Sequence, residues 1–380
     1  MLEKRIGIFI YYEWLSIAPS ILSVIRVLTE NSYFVDVFHL HDESLGKFKP
    51  ESEKVTSITV NSGKLKIITL LKFFIISLKR IIKKDYKFFI GTDQEAIMIS
   101  GILSKIKKVP NVYYSLEILT KEDISKEKGL RKILLLIRRL LENYFSKRAE
   151  STIIQDKYRA EVLIQDMGIK KERIFLIPNS YDFDPEKIKN IPDLDFPIPK
   201  DKKVIIYAGS IIPEMAIEEL VNSIKFWPEN TILILHTPYK TPYLEEIIKL
   251  IKNNNLEERV IVSVRKLSFE ELFSLLKEAH IGISLYRFTN KSFELATSGK
   301  LNFYLVQGLP FISSRIPYVE DLIFKYNCGI CVDKPKEIGE AVKKILDNYS
   351  EYSKNTKKCY EEELEFSKHF KKFLEHYEKK

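Results

Sequence analysis

The chain has 380 residues, 45% of them apolar, which is enough for two α/β cores of about 150–200 residues rather than one small domain. Three cysteines, 13 glycines and 15 prolines exclude a disulfide scaffold and a fibrous or low-complexity chain, and no run of about 18 apolar residues is present to span a bilayer. The net charge of +9 arises wholly in the first part: residues 1–150 hold 26 Lys/Arg against 17 Asp/Glu, and residues 151–380 hold 35 of each.

Lys4–Ile10 (KRIGIFI) predicts a strand, followed by a loop carrying Tyr12, Glu13, Trp14 and Ser16. The apolar run is too short for a signal peptide, so a cytoplasmic protein is expected. Pro19 is placed to open a helix running to about Thr29, and Tyr33–Leu40 is the next strand. A strand–helix–strand start is what a parallel sheet requires. The first turn lacks the glycine-rich phosphate fingerprint, which argues against a nicotinamide or flavin site. Strands at Phe88–Gly91, Val112–Ser115, Thr152–Gln155 and Ile174–Ile177 complete an N-terminal domain of residues 1–180. Residues 181–202 are rich in Pro and Asp, have no period, and predict a linker.

A second alternating unit, residues 203–350, opens on the strand KVIIYAGS at Lys203. Strands follow at Thr231–His236, Val260–Val264, Ile281–Leu285, Leu309–Ser313 and Gly329–Val332, with helices between them. Ser268 and Glu271 form a capping box for the helix ending near Ala279. Cys328 and Cys331 make a C-x2-C, but one pair is half a tetrahedral site, and the strand-like run CGICV predicts buried thiols. The charged tail, residues 351–380, predicts helix. The architecture expected is two doubly wound, Rossmann-like parallel-sheet α/β domains with a cleft between them.

Two segments are basic and amphipathic. Residues 64–84 place Lys72, Lys79 and Lys83 on one helical face and Ile67, Leu71, Phe74, Leu78 and Ile82 on the other. Residues 128–148 interleave Arg131, Lys132, Arg138 and Arg139 with Leu134, Ile137, Leu141 and Phe145. One expectation is an anionic membrane surface as partner; the other is two core helices with solvated basic faces. No nucleic-acid-binding motif accompanies the basic charge, so no nucleic-acid partner is expected.

The chemistry concentrates between Ala279 and Ser313. A strand, Ile281–Leu285, leads into a loop with Arg287, Asn290, Lys291 and Glu294, then Thr297, Ser298, Gly299 and Lys300 at a helix start. Free backbone N–H groups and an ammonium at a helix N-terminus suit an anion. The nearby Glu294 carboxylate adds a second chemical character, pointing to a phosphate-bearing ligand beside a hydroxyl-rich group.

Four segments carry a family resemblance, in order: Ile174–Ser180 (IFLIPNS), Val204–Ser210 (VIIYAGS), Ser268–Leu285, and Lys300–Pro310 (KLNFYLVQGLP). They resemble the donor-binding half of GT-B glycosyltransferases, close to the retaining family-4 (group 1) enzymes. The resemblance implies two Rossmann-like domains facing across a cleft, with a nucleotide sugar on the C-terminal domain and an acceptor on the N-terminal one. It also implies that the C-terminal helix returns to the first domain, and that neither metal nor cofactor is needed. The family's phosphate-binding Arg and Lys fall here on Ser210 and Met215, and its second Glu, which binds ribose, falls on Phe303.

On that resemblance, Ser298, Gly299 and Lys300 would bind the donor diphosphate, with Gly209 and Ser210 letting backbone approach it. Glu294 would contact the donor sugar or shield an oxocarbenium-like transition state. Arg265 and Lys266, at a strand's C-terminal end, would contact the base or replace the missing cations. Glu117 would face the acceptor hydroxyl, and Tyr12 and Glu13 would shape the acceptor site. The expected activity is retaining sugar transfer from a UDP-, GDP- or ADP-linked donor to a glycan or lipid-linked acceptor in surface polysaccharide or glycolipid assembly, peripheral on the cytoplasmic membrane face. The alternatives are a catalytically silent GT-B binding protein and a sugar-nucleotide epimerase.

Overall fold

The computed structural model describes residues 4–13, 15, 18–41, 48–50, 52–182 and 198–379. Trp14, Ser16 and most of the expected linker, residues 183–197, lie outside the described residues. The chain divides into two units, Met1–Asp182 with Phe366–Lys380, and Phe183–Glu365.

Unit 1 contains β1 (Arg5–Ile10), α1 (Pro19–Glu30), β2 (Phe34–His41), β3 (Val55–Asn61), α2 (Lys66–Ile81), β4 (Phe88–Thr92), α3 (Asp93–Lys107), β5 (Asn111–Tyr114), α4 (Lys121–Ser125), α5 (Gly129–Ser146), β6 (Ser151–Ile154), α6 (Lys157–Met167) and β7 (Ile174–Leu176). Its sheet runs β3-β2-β1-β4-β5-β6-β7, with all pairings parallel. The central strands are buried on both faces and, apart from Arg5 and Thr92 at their ends, carry no polar side chain, as a covered parallel sheet demands. The strand β3 was absent from the sequence reading. It is an edge strand whose residues Thr56–Thr59 are only half-buried or exposed.

Unit 2 contains β8 (Lys203–Ala208), α7 (Ile217–Ser223), β9 (Thr231–Thr237), α8 (Pro242–Asn253), β10 (Val260–Val264), α9 (Phe269–Lys277), β11 (Ile281–Ser284), α10 (Lys291–Glu294), α11 (Gly299–Val306), β12 (Phe311–Ser313), α12 (Pro317–Tyr326), β13 (Gly329–Cys331), α13 (Pro335–Asp347) and α14 (Tyr349–Cys359). Its parallel sheet runs β10-β9-β8-β11-β12-β13. The Ser268–Glu271 capping box forms in both directions, at 3.2 and 2.7 Å. Cys328 is buried and Cys331 half-buried; both thiols are free and contact backbone carbonyls of Leu322 and Ser314.

The tail does not behave as one piece. Residues 351–365 belong to unit 2, which ends in the π-helical turn Tyr360–Leu364. The last helix, α15 (Phe366–Glu378), belongs to unit 1. Phe366, Phe370, Phe373 and Leu374 enter the core formed by α1 and one face of the unit 1 sheet. Phe373 meets Phe175 edge-on at 5.2 Å, and Tyr377 donates to Ser151 Oγ at 3.0 Å.

The opposite face of that sheet carries α2, α3 and α5. α2 turns Thr69, Phe73, Ser77 and Ile81 inward, one residue every four, so Ile67, Leu71 and Ile82 stay exposed. The expectation of α2 and α5 as ordinary core helices is therefore corrected in part: Phe74, Leu78 and Phe145 pack against the core, whereas Ile67, Leu71, Ile82, Leu134, Ile137 and Leu141 are exposed. α5 goes further: its buried residues include Arg139 and Glu142, while all its leucines except the half-buried Leu135 are exposed.

Candidate functional site

Each sheet reverses strand order once, and open α/β sheets hold ligands at the carboxyl ends of the strands beside such a reversal. In unit 2 the reversal lies between β8 and β11. These strands pair only at Ile205–Ile206 and Ile281–Gly282, then part. Tyr304 of α11 fills the opening. Its hydroxyl accepts from the Ala208 N–H at 3.3 Å and donates to the Ile283 carbonyl at 3.1 Å. A Cβ at Gly282 would stand 2.4 Å from the Tyr304 ring, so the close approach needs glycine. Tyr304 thereby locks α11, and with it the loop Thr297–Lys300, to the ends of both strands.

Lys300 is the second residue of α11. Its Nζ lies 3.2 Å from Tyr286 Oη and over the Tyr207 and Tyr286 rings, at 5.0 and 4.7 Å from their centroids. Among the described residues no carboxylate pairs with it. Met215 Sδ sits 3.7 Å from the ammonium. Gly209 follows β8, and a Cβ there would come within 3.1 Å of Lys300 Cε. Ser210 Oγ meets Tyr239 Oη at 2.7 Å, and Tyr207 Oη donates to the Ser210 carbonyl at 2.6 Å. Ser298 caps α11 by accepting the Lys300 N–H at 3.3 Å. Gly209, Ser210, Ser298, Gly299 and Lys300 thus share one end of the sheet.

Other expected donor residues are placed differently. Glu294 ends the short turn α10 and pairs with Lys291 at 2.8 Å; no hydrogen bond or ion pair joins it to Lys300. Arg265 follows the edge strand β10, two strands from β8, and pairs with Glu271 at 3.1 Å. Lys266 is its neighbour on the same edge. Arg265 also faces the buried His236, whose pKa falls to about 4 through burial first and Arg265 second. Phe303 is buried against Phe269 and Phe273, at 5.7 and 5.6 Å, and serves as packing. Arg287 anchors the loop after β11 on Glu219 at 2.7 Å and Glu218 at 2.6 Å.

In unit 1 the reversal lies between β1 and β4. There Tyr12 and Glu117 converge on a residue absent from the sequence reading, Asp93. Its Oδ1 accepts the Leu116 and Glu117 N–H groups at 2.7 and 3.0 Å, and its Oδ2 accepts a short hydrogen bond from Tyr12 Oη. One carboxylate therefore ties together the chain after β1, β4 and β5. Asp93 begins α3 with φ of 47°, a left-handed conformation that Asp tolerates better than most residues. Burial raises its pKa to about 8 against these three donors. The Glu117 side chain remains exposed, yet the protein crowded around it still raises its pKa, with Arg159 opposing. Arg159 in turn donates to the Leu116 carbonyl at 2.6 Å. Glu13 is half-buried beside Tyr12 and joins no ion pair among the described residues.

The tyrosines at positions 207, 286 and 304 were also missed, although YAGS and SLYRF each put one at a strand end. Asp93 carried a weaker signal: an Asp directly after the strand FFIGT.

Residues 238–376 match the family described as Glucosyltransferase 3-like, C-terminal domain. The whole structure is similar to a sucrose-phosphate synthase from Thermosynechococcus elongatus, with TM-score 0.74, 15% identity and 99% of each chain covered. It is similar to a glycosyltransferase from Rickettsia africae at TM-score 0.73 and 12% identity, covering 99% of this chain and 98% of that one. It is also similar to HepE from Anabaena in complex with UDP-glucose, at TM-score 0.72 and 14% identity, covering 98% and 99%. No curated protein sequence matches the chain significantly.

Proposed function

We propose that this chain, a GT-B protein whose residues 238–376 form a Glucosyltransferase 3-like domain, transfers a sugar from a nucleotide-sugar donor to a lipid-linked glycan with retention. The observation that carries this is the Lys300 ammonium, caged by two tyrosines, without a carboxylate partner, at a helix start beside the strand reversal. Backbone N–H groups of Ser298–Lys300 and the ammonium would receive the diphosphate, where leaving-group charge develops. The HepE neighbour holds UDP-glucose, which favours a UDP donor here.

In the reaction the bond from the anomeric carbon to the diphosphate oxygen breaks, and the acceptor oxygen bonds to the same face of the sugar. The acceptor proton passes to the departing diphosphate, so this direct same-face step uses neither an enzymic nucleophile nor an enzymic base. Unit 2 would hold the donor. Unit 1 would present the acceptor through Tyr12, Glu13 and Glu117, with Asp93 positioning the first and third. Glu294 would approach the donor sugar only after leaving Lys291. Arg265 and Lys266, on the edge strand, would reach at most the base. A cytoplasmic protein of surface polysaccharide or glycolipid assembly fits this chemistry.

A second reading is a catalytically silent binding protein, favoured by Phe303 packing into the core and Met215 standing beside Lys300. Isothermal titration with UDP-, GDP- and ADP-glucose, on wild type and Lys300→Ala, separates the two. A donor-binding enzyme binds one nucleotide, and Lys300→Ala weakens it by about 10–100-fold, the range of one charge-assisted hydrogen bond. Binding of none, or equal binding by the variant, overturns the proposal. Sugar isomer formed without acceptor would instead identify an epimerase.

A further inference from the structure

We infer that the outward faces of α2 and α5 form a docking surface for an anionic lipid bilayer. Both helices lie on the same face of the unit 1 sheet, with α3 between them. Phe73 and Ile81 of α2 pack in one cluster with Ala96, Ile99 and Leu103 of α3, and Phe145 of α5 packs with Ile97 on the other side of α3. What faces outward is therefore shared by the two flanking helices.

α5 is built inside out. Arg139 turns inward to the Leu119 carbonyl and, at 2.8 Å, to Asp166. Glu142 turns inward to the Tyr113 hydroxyl at 2.5 Å. Arg138 pairs with Glu95 of α3 at 2.7 Å. The middle of the helix thus spends inward positions on Arg139 and Glu142, and the helix exposes Leu130, Ile133, Leu134, Ile137, Leu140 and Leu141, with Leu130 71% and Leu140 68% exposed. α2 adds Ile67, Leu71, Ile75 and Ile82, with Ile67 70% exposed. A helix bathed in water on its outer side has the opposite pattern. Large apolar side chains left exposed together on neighbouring helices mark an interaction site.

The rim decides the occupant. Lys72, Lys79 and Lys83, on and just after α2, are exposed, as are Lys128 and Arg131 at the start of α5, where Lys132 is half-buried and Arg131 pairs with Glu127 at 3.0 Å. Residues 64–148 hold 20 Lys/Arg against 8 Asp/Glu. A second copy of this chain would oppose like charge to like charge around the patch. An anionic bilayer neutralises the rim while its acyl boundary takes the leucines. No described helix is long and apolar enough to cross a membrane, so the helices lie along the interface. This surface would bind lipid whether or not the protein turns over sugar.

The test is co-sedimentation of the full chain with phosphatidylcholine vesicles, with and without 30% phosphatidylglycerol, at about 0.1 M salt. Expected is at least tenfold tighter partition to the anionic vesicles, weakened by added salt. Leu134→Ser with Leu140→Ser should lower it by about tenfold or more. Lys72→Glu with Lys79→Glu should lower it at least as far and flatten the salt dependence. All four positions are at the surface, and circular dichroism would verify that each pair folds. Absence of binding, equal binding to neutral vesicles, or unchanged partition of both variants would overturn the inference. So would a lipid-free dimer that Leu134→Ser with Leu140→Ser dissolves.

Discussion

Asp93→Asn isolates the one buried carboxylate that joins three strand ends in unit 1. The substitution keeps the shape, the tolerance of a left-handed backbone, and an oxygen for the Leu116 and Glu117 N–H groups, but removes the titrating proton. Burial raises the Asp93 pKa from 3.8 to about 8. A carboxyl with a raised folded pKa contributes its full stability below the unfolded value and loses it as pH rises toward the folded value. Over that window the unfolded chain ionises while the folded one stays protonated, which costs about 1.4 kcal/mol per pH unit, or roughly 2.7 kcal/mol from about pH 5 to about pH 7. Glu142, raised to about 7 chiefly by burial, adds to the slope in both proteins, and its charge is also one cause of the Asp93 shift. The measurement is urea unfolding at several pH values, followed by hydrogen exchange in peptides covering β4 to the loop after β5. Wild-type stability should fall more steeply than that of Asp93→Asn, and the curves should converge in acid. Parallel profiles between about pH 5 and about pH 7 would show that Asp93 is already ionised and that the reasoning is wrong.

Other outcomes follow from the same geometry. Tyr304→Phe removes the hydroxyl between Ala208 and Ile283 and should cost about 1–3 kcal/mol in unit 2, with donor KM raised more than kcat lowered. His236, held to a pKa of about 4, should make unit 2 lose roughly 3 kcal/mol as pH falls from 6.5 to 4, the reverse of the Asp93 trend; calorimetry of wild type against His236→Gln reads it. Phe370→Ala should cost about 3–5 kcal/mol in unit 1 and leave the exchange of unit 2 amides unchanged. Arg265→Ala should leave nucleotide affinity within about threefold, because the edge strand lies away from the reversal.

Strand–helix alternation was legible because buried parallel strands such as RIGIFI and KVIIYA are continuous apolar runs after their first residue. The loop at Ser298–Lys300 was legible because a cap, a glycine and a lysine leave a local signature. What the sequence hid was non-local. Nothing in residues 129–146 says which face meets the sheet, since a leucine stripe fits a core as well as a lipid surface; only the partners of Arg139 and Glu142, up to 48 residues away in the chain, decide it. β3 was overlooked because an edge strand needs no continuous apolar run. Asp93 draws its environment from Tyr12, 81 residues earlier, and Leu116, 23 residues later. Lys291 was expected as loop polarity, whereas its pairing holds Glu294 away from the role proposed for it.

The return of α15 to unit 1 has a consequence for biosynthesis. Unit 2 is one continuous stretch, Phe183–Glu365, whereas unit 1 waits for its final helix until that whole stretch has been made. At ordinary elongation rates the wait is about 10–40 s. During it, the groove on α1 that later receives Phe366, Phe370 and Phe373 stands open on the ribosome. A nascent chain in this state is a natural client for chaperones that hold apolar surface. A message truncated before codon 366 would yield a finished unit 2 joined to a unit 1 that never closes.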